Sequence, residues 1–245
     1  MISLDTNIVR STILALGVAA GGAFIGDGFV RARAADRYVS VKGISEREAR
    51  ADLAIWPLHL VAANNDLAQA NTQMQNSVRL VRQFLGRQNL DTTQAEMQGF
   101  AVADASTNQY GNNSERGSRF VIRQTIVVRS TKPELVLAAS QRVAELVGAG
   151  VVLATGEEYR SRGPTFIFSG LNSLKPQMIA EATARAREAA EQFARDSRSP
   201  LGGIRTASQG VFSILPRDQA QDITEESQIV KTVRVVSTVE YFLRK

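Results

Sequence analysis

Hydrophobic and polar positions divide the chain into an apolar lead and a patterned body. Ser11 to Gly26 carry no charge, and only Asp27 interrupts the run to Arg31. A bilayer span needs roughly 20 apolar residues. Ser11 to Val30 reaches that length with Asp27 near the interface, where a carboxylate costs less than at the centre. The pattern predicts a transmembrane signal-anchor helix through residues 11–30, with 1–34 as the N-terminal segment and 35–245 as the body. The alternative is a secretory signal cleaved near Ala34, at Ala32-Arg33-Ala34. Gly17, Gly21, Gly22 and Gly26 form two G-x-x-x-G pairs, and Ala15, Ala19 and Ala23 add small positions. Small residues one turn apart let helices approach closely in lipid, so these four glycines are expected to pack neighbouring anchors. Only Arg10 precedes the segment, whereas Arg31, Arg33, Arg37 and Lys42 follow it, which by the positive-inside rule favours a cytoplasmic body.

The body alternates between strand and helix patterns. Arg37 to Gly43 alternates loosely and leads into a polar turn at Glu46-Arg47-Glu48. Arg50 to Ala63 reads as a buried strand, with Pro57 at an edge or bulge because it has no N–H to donate. Asn64-Asn65-Asp66 can cap a helix with apolar Leu67, Met74, Val78, Val81 and Leu85, ended by Gly86 as a left-handed cap. Glu96 to Ala105 resumes strand character, and Ser106 to Gly117 reads as an exposed hairpin loop.

Arg119 to Arg129 is the clearest strand. Phe120, Ile122, Ile126 and Val128 face one way; Arg119, Arg123, Thr125 and Arg129 face the other. Thr131-Lys-Pro-Glu134 predicts a capping box with Pro133 in the first turn. The helix it opens carries Leu135, Val136, Ala139, Val143 and Leu146 and closes at Gly148, before a strand from Val151 to Glu157. The signal recurs as Ser173-Leu-Lys-Pro-Gln177 after the β-rich Thr165 to Ser169. The second helix places Met178, Ile179, Ala182, Ala186, Ala190 and Phe193 on one side, stopped by Ser197 to Pro200. Ile204 to Ile214 is a strand, and Leu215 to Gln228 a mobile acidic loop with Asp218, Asp222, Glu225 and Glu226. The last strand shows Val233, Val235, Val239, Tyr241 and Leu243 on one face. The fold class is therefore α/β (α+β): three long helices covering mixed sheets of about eight strands, possibly as two interwoven subdomains.

Composition narrows the chemistry. There is no cysteine, which removes disulfides, thiolate metal sites and a thiol nucleophile together. His59 is the only histidine, and its apolar strand suits a structural or interface role. No P-loop, nucleophile elbow or HExxH is present, and Gly202-Gly203 precedes a strand rather than a helix. Glu46/Glu48 and Glu157/Glu158 are adjacent acids in turns. No catalytic, cofactor-binding or metal-binding residue is therefore assigned. The net charge of +5 and pI near 9.9 rest on arginine. Arg119, Arg123, Arg129 and the Tyr159-Arg160-Ser161-Arg162 turn could meet phosphates. Acids are interspersed throughout and aromatics are few, so no nucleic-acid partner is expected.

Five segments carry a resemblance. Val39-Ser-Val-Lys-Gly-Ile-Ser-Glu-Arg-Glu48 and Asp52-Leu-Ala-Ile-Trp-Pro57 come first. Phe168-Ser-Gly-Leu-Asn172 with Lys175-Pro176, the helix Ala182 to Asp196, and Lys231 to Tyr241 follow. In order and spacing they resemble the SIMPL-domain family of bacterial envelope proteins, the YggE-like periplasmic group, and its subset with an N-terminal hydrophobic segment. The resemblance implies an exported or membrane-anchored α/β body that assembles into large rings. It also implies a role in envelope integrity or oxidative-stress tolerance, with no catalytic residues to carry over. It favours an inner-membrane protein with a periplasmic body, against the arginines that follow the apolar segment. The expectation is a non-enzymatic, self-assembling envelope protein with no cofactor. A small-ligand-binding protein or hydrolase using scattered carboxylates is the alternative.

Overall fold

The apolar lead forms one helix, α1 (Thr6–Ala35). A computed structural model describes residues 6–35, 37–107, 118–154, 163–221 and 223–244. Most of the expected loop Ser106 to Gly117, the acids Glu157 and Glu158, the Tyr159–Arg162 turn and Asp222 lie outside the described residues. Among the described residues, no helix is long and apolar enough to cross a membrane.

β1 (Tyr38–Arg50) runs straight through Glu46–Glu48, where the sequence predicts a turn. Its buried positions are Val39, Gly43, Ser45 and Ala49, so the inward row is mostly small residues and the acids take the outward row. β2 (Leu53–Asn64) alternates strictly, burying Ala54, Trp56, Leu58, Leu60 and Ala62. It is an inner strand, yet Pro57 costs no ladder bond. Val61 N–H donates to Val152 O at 3.0 Å, and His59 O accepts from Ala154 N at 2.8 Å on that same side. By the period of two, Pro57 turns its missing donor to this side, beyond the Leu53–Ile55 stretch that pairs with the next strand over.

α2 (Leu67–Arg87) is capped by Asp66, whose carboxylate accepts from Gln69 N at 2.9 Å. Met74, Val78, Val81, Phe84 and Leu85 are buried, but Leu67 is exposed, contrary to its expected place in the stripe. The helix continues past Gly86, and the left-handed residue is Asn89, with φ 58°. β3 (Ala95–Asp104) is kinked at Gly99, whose φ of 62° accompanies a register shift against its neighbour. β4 (Phe120–Ser130) shows the expected faces, with Ile122, Ile126 and Val128 buried and Arg123 and Arg129 exposed.

The helix expected from Thr131 to Gly148 is two short ones, α3 (Pro133–Gln141) and α4 (Ala144–Gly148). Ser140 Oγ donates to Leu137 O at 2.8 Å, competing for the acceptor of the next helical bond, and Arg142 leaves helical geometry. The capping box does not form. Ser130 Oγ accepts from Lys132 N at 3.1 Å, and Glu134 reaches Arg50 instead, at 2.9 Å. The expected strand after Gly148 is a single bridge, Leu153 to Leu60, within its described part.

β5 (Thr165–Ile167) is short. α5 (Leu171–Asp196) starts a turn earlier than Lys175-Pro176 suggests, because Gly170 O accepts from both Ser173 N (3.1 Å) and Ser173 Oγ (2.7 Å). Pro176 therefore lies inside the helix. Met178, Ala182, Ala186, Ala190 and Ala194 are buried, while Phe193 is 47% exposed. The strand expected over Ile204 to Ile214 is two: β6 (Leu201–Gln209), which contains Gly202 and Gly203, and β7 (Ser213–Pro216). β8 (Val230–Leu243) closes the chain.

The fold is α+β with two antiparallel sheets, ordered β3-β4-β2-β5 and β1-β8-β6, with β7 also on β8. The sheets are thus not mixed, and among the described residues the body has two long helices rather than three. Contacts divide the chain into two interwoven units. One comprises Met1–Ser45, Gln177–Val211 and Val235–Lys245. Its core is small: Val39, Ala186, Ala190, Val239 and Tyr241. Gly43 is fixed there by close approach, since a Cβ on it would lie 1.8 Å from Ala182 O. The other unit comprises Glu46–Pro176 and Phe212–Arg234. It buries Trp56, Leu58 and Leu60 of β2 against Met74, Val81, Phe84 and Leu85 of α2, each large side chain contributing about 1.5–3 kcal/mol.

Candidate functional site

α1 presents an apolar surface that the described chain leaves uncovered. Leu14, Leu16, Val18, Phe24 and Ile25 are 65–80% exposed. At about 100° per residue Leu14, Val18 and Ile25 share one side and Leu16 and Phe24 extend the set over more than half of the circumference, while alanines and glycines fill the rest of the uncharged stretch from Leu14 to Gly26. A Cβ placed on Gly17, Gly21, Gly22 or Gly26 would meet nothing within 4 Å. The four glycines do not form one face. Gly17/Gly21 and Gly22/Gly26 are two stripes separated by about 140° around the axis. Two stripes let one helix approach two neighbours, the geometry a closed ring requires.

Polar groups of the body are mostly committed to structure. His59 Nδ1 lies 2.9 Å from Thr125 Oγ1 across the β2–β4 pair, and burial holds the imidazole below its ordinary pKa. Glu46 pairs with Arg234 at 3.2 Å, on a strand rather than in a turn. Arg119 reaches Asp104 at 3.3 Å and lies over the Phe120 ring. Among the described residues the carboxyl shifts that stand out are downward, at Asp91, Asp104, Glu134 and Asp218. Asp104 is lowered furthest, to about 2, by the Ser106 hydroxyl, the Arg119 guanidinium and the Ser106 amide. A general acid requires the opposite shift. Among the described residues, no three His, Asp or Glu side chains gather as a metal site.

The family model described as "Protein of unknown function (DUF541)", SIMPL, matches residues 39–241. The chain belongs to the SIMPL family. The SIMPL match takes in most of β1 through most of β8 and leaves α1 outside it. No curated protein matches the chain. Among solved structures, the regulatory subunit of aspartate kinase from Thermus flavus is similar over 82% of this chain and 89% of that one. Its identity is 14% and its TM-score 0.15, too low to carry an argument.

Two features of this SIMPL body escape sequence reasoning. Lys231 is fully buried on the inward row of β8, with Nζ 2.5 Å from Glu225 Oε1 and 2.6 Å from Glu225 O. Its phase with Val233 and Val235 was the available signal. The segment expected to be a mobile acidic loop is tied by this pair. Gln228 pins it too, accepting from Asp218 N at 3.2 Å and donating to Asp218 O at 3.1 Å. Asp52 is the second: its carboxylate accepts from Ser169 N (3.0 Å) and Ser169 Oγ (2.8 Å), tying the start of β2 to the end of β5.

Proposed function

We propose that this SIMPL protein is a non-enzymatic, self-assembling scaffold of the bacterial envelope, held in the inner membrane by α1 with its body in the periplasm. The observation that carries this reading is the exposure of large apolar side chains on α1, in a stretch from Leu14 to Gly26 that bears no polar residue on any side. A helix apolar on every side is stable in lipid or among other helices and not in water. The glycine stripes add a means of association: Gly17/Gly21 pack one neighbouring anchor and Gly22/Gly26 another. A part in envelope integrity or oxidative-stress tolerance rests on family resemblance. With no cysteine and four methionines, any protection is indirect.

The cysteine-free chain makes placement measurable. A single Thr72→Cys on the exposed side of α2 gives one thiol for a membrane-impermeant maleimide. With only the outer membrane opened, the thiol is labelled, and the chain stays in the membrane pellet after alkaline carbonate. Labelling that requires lysis of the inner membrane, or release by carbonate, contradicts the placement.

A further inference from the structure

In the unit that carries α1, a cleft of about 390 Å³ opens at the C-terminal end of α5. Arg195, Arg198, Ser199, Pro200 and Leu201 line it. Arg37 reaches the same turn, with Nη2 3.5 Å from Ser199 Oγ, and its carbonyl accepts from Leu243 N at 2.8 Å. Arg244 N donates to Pro200 O at 2.8 Å, bringing another guanidinium-bearing residue to this edge. All four arginines are exposed, and among the described residues none of them pairs with a carboxylate. Arg195 is steadied by Gln192 Oε1 at 2.6 Å. The acid in the lining, Glu191, is already paired with Arg187 at 3.1 Å. Arg195 and Arg198 in the lining and Arg37 at Ser199 outweigh both Asp196 and the roughly half negative charge of the α5 C-terminus.

We infer that this cleft binds the phosphates of anionic phospholipid headgroups at the membrane surface where α1 emerges; the inference rests on the anchor reading above. Chain length sets the place. α1 has 30 residues, about 45 Å of helix, which matches a bilayer of about 40–45 Å with its headgroups. Its last residue, Ala35, is two residues from Arg37, a reach of about 7 Å at most. Arg37, and through it the Ser199 turn, is therefore tethered at the headgroup layer. There, clustered arginines gain from anionic lipid by about fivefold in binding per residue.

The test uses the full-length chain in nanodiscs of phosphatidylcholine alone and of phosphatidylcholine mixed with phosphatidylglycerol. Amide exchange is read by mass spectrometry over 195–201. The expected result is insertion in both discs, with exchange over 195–201 slowed about fivefold or more by phosphatidylglycerol. About 1 M salt, where screening acts within about 3 Å, removes the slowing. So does the double substitution Arg195→Gln and Arg198→Gln, with exchange at Ala182–Ala190 unchanged. Should the double variant disturb that core, the salt series on the unaltered chain decides. Equal exchange in the two discs with the chain inserted overturns the headgroup site and leaves the anchor standing. A chain that stays outside the discs overturns both. Slowing by inorganic phosphate in phosphatidylcholine discs assigns the cleft to a soluble anion and overturns the membrane role.

Discussion

α1 and α5 are both long helices marked by regularly spaced small residues, and they use them in opposite ways. On α5 the row Ala182, Ala186 and Ala190 is fully buried, and Gly43 of β1 approaches so closely that no Cβ fits. On α1 the glycines face open space and the large side chains beside them are exposed. A stripe of small residues has no value until another backbone comes within reach. α5 finds that backbone inside its own chain. On the proposed reading α1 finds it in a neighbouring copy, within the membrane.

Partners inside the chain are costly to remove, and Gly43 tests this most sharply. Gly43→Ala forces a Cβ against backbone atoms of Ala182 and Ala186 that have no side-chain freedom to yield. The expected loss is at least about 3 kcal/mol, read as a lower urea midpoint. Next comes Lys231→Ala, which leaves Glu225 without its partner. Because Glu225 is 30% exposed, the cost falls to about 2–3 kcal/mol rather than the full range for a buried pair. Lys231→Met fills the same space without a charge, so it recovers the packing part of the loss and leaves the part due to the unpaired Glu225.

A smaller effect is expected at Asp104, whose partners Ser106 and Arg119 also belong to the chain. Its folded pKa is depressed to about 2 from the ordinary 3.8. A depressed carboxyl stabilises the fold above the unfolded value, and that contribution fades as pH falls from 3.8 toward 2. A carboxyl NMR titration locates the step, and Asp104→Asn flattens stability over that window.

The smallest effect on folding is expected where the partner lies outside the chain. Gly21→Ile with Gly22→Ile meets open space, so unfolding of the body stays within about 0.5 kcal/mol. The effect appears in assembly instead, as a smaller particle.

How much of this was legible depended on side-chain size. α2 could be read because Met74, Val78, Val81 and Leu85 announce a helical face with large apolar groups. β4 and β8 could be read because their alternation is equally plain. β1 beyond Gly43 could not, since its inward row continues through Ser45 and Ala49, which carry little hydrophobic signal. A local hydroxyl bond accompanies both the break between α3 and α4, at Ser140, and the early start of α5, at Ser173, and neither leaves a mark in the hydrophobic pattern. The α1 glycines were visible as spaced pairs, but their separation into two stripes emerges only from helical geometry. Lys231 reads as solvent-facing by type and as buried by phase, and phase wins because Glu225 folds back to meet it. The cleft at Arg195–Leu201 joins both ends of the body's chain, Arg37 and Arg244, and no local pattern connects them.

The central claim is that α1 completes itself with copies of the same chain in the membrane. Its most direct test is the mass of gently extracted full-length protein, by light scattering with the detergent subtracted, beside the intact mass of one chain. The account predicts a single large particle of uncleaved chains that shrinks when Gly21 and Gly22 become Ile. A soluble monomer beginning near Ala35, or a particle indifferent to both substitutions, contradicts it.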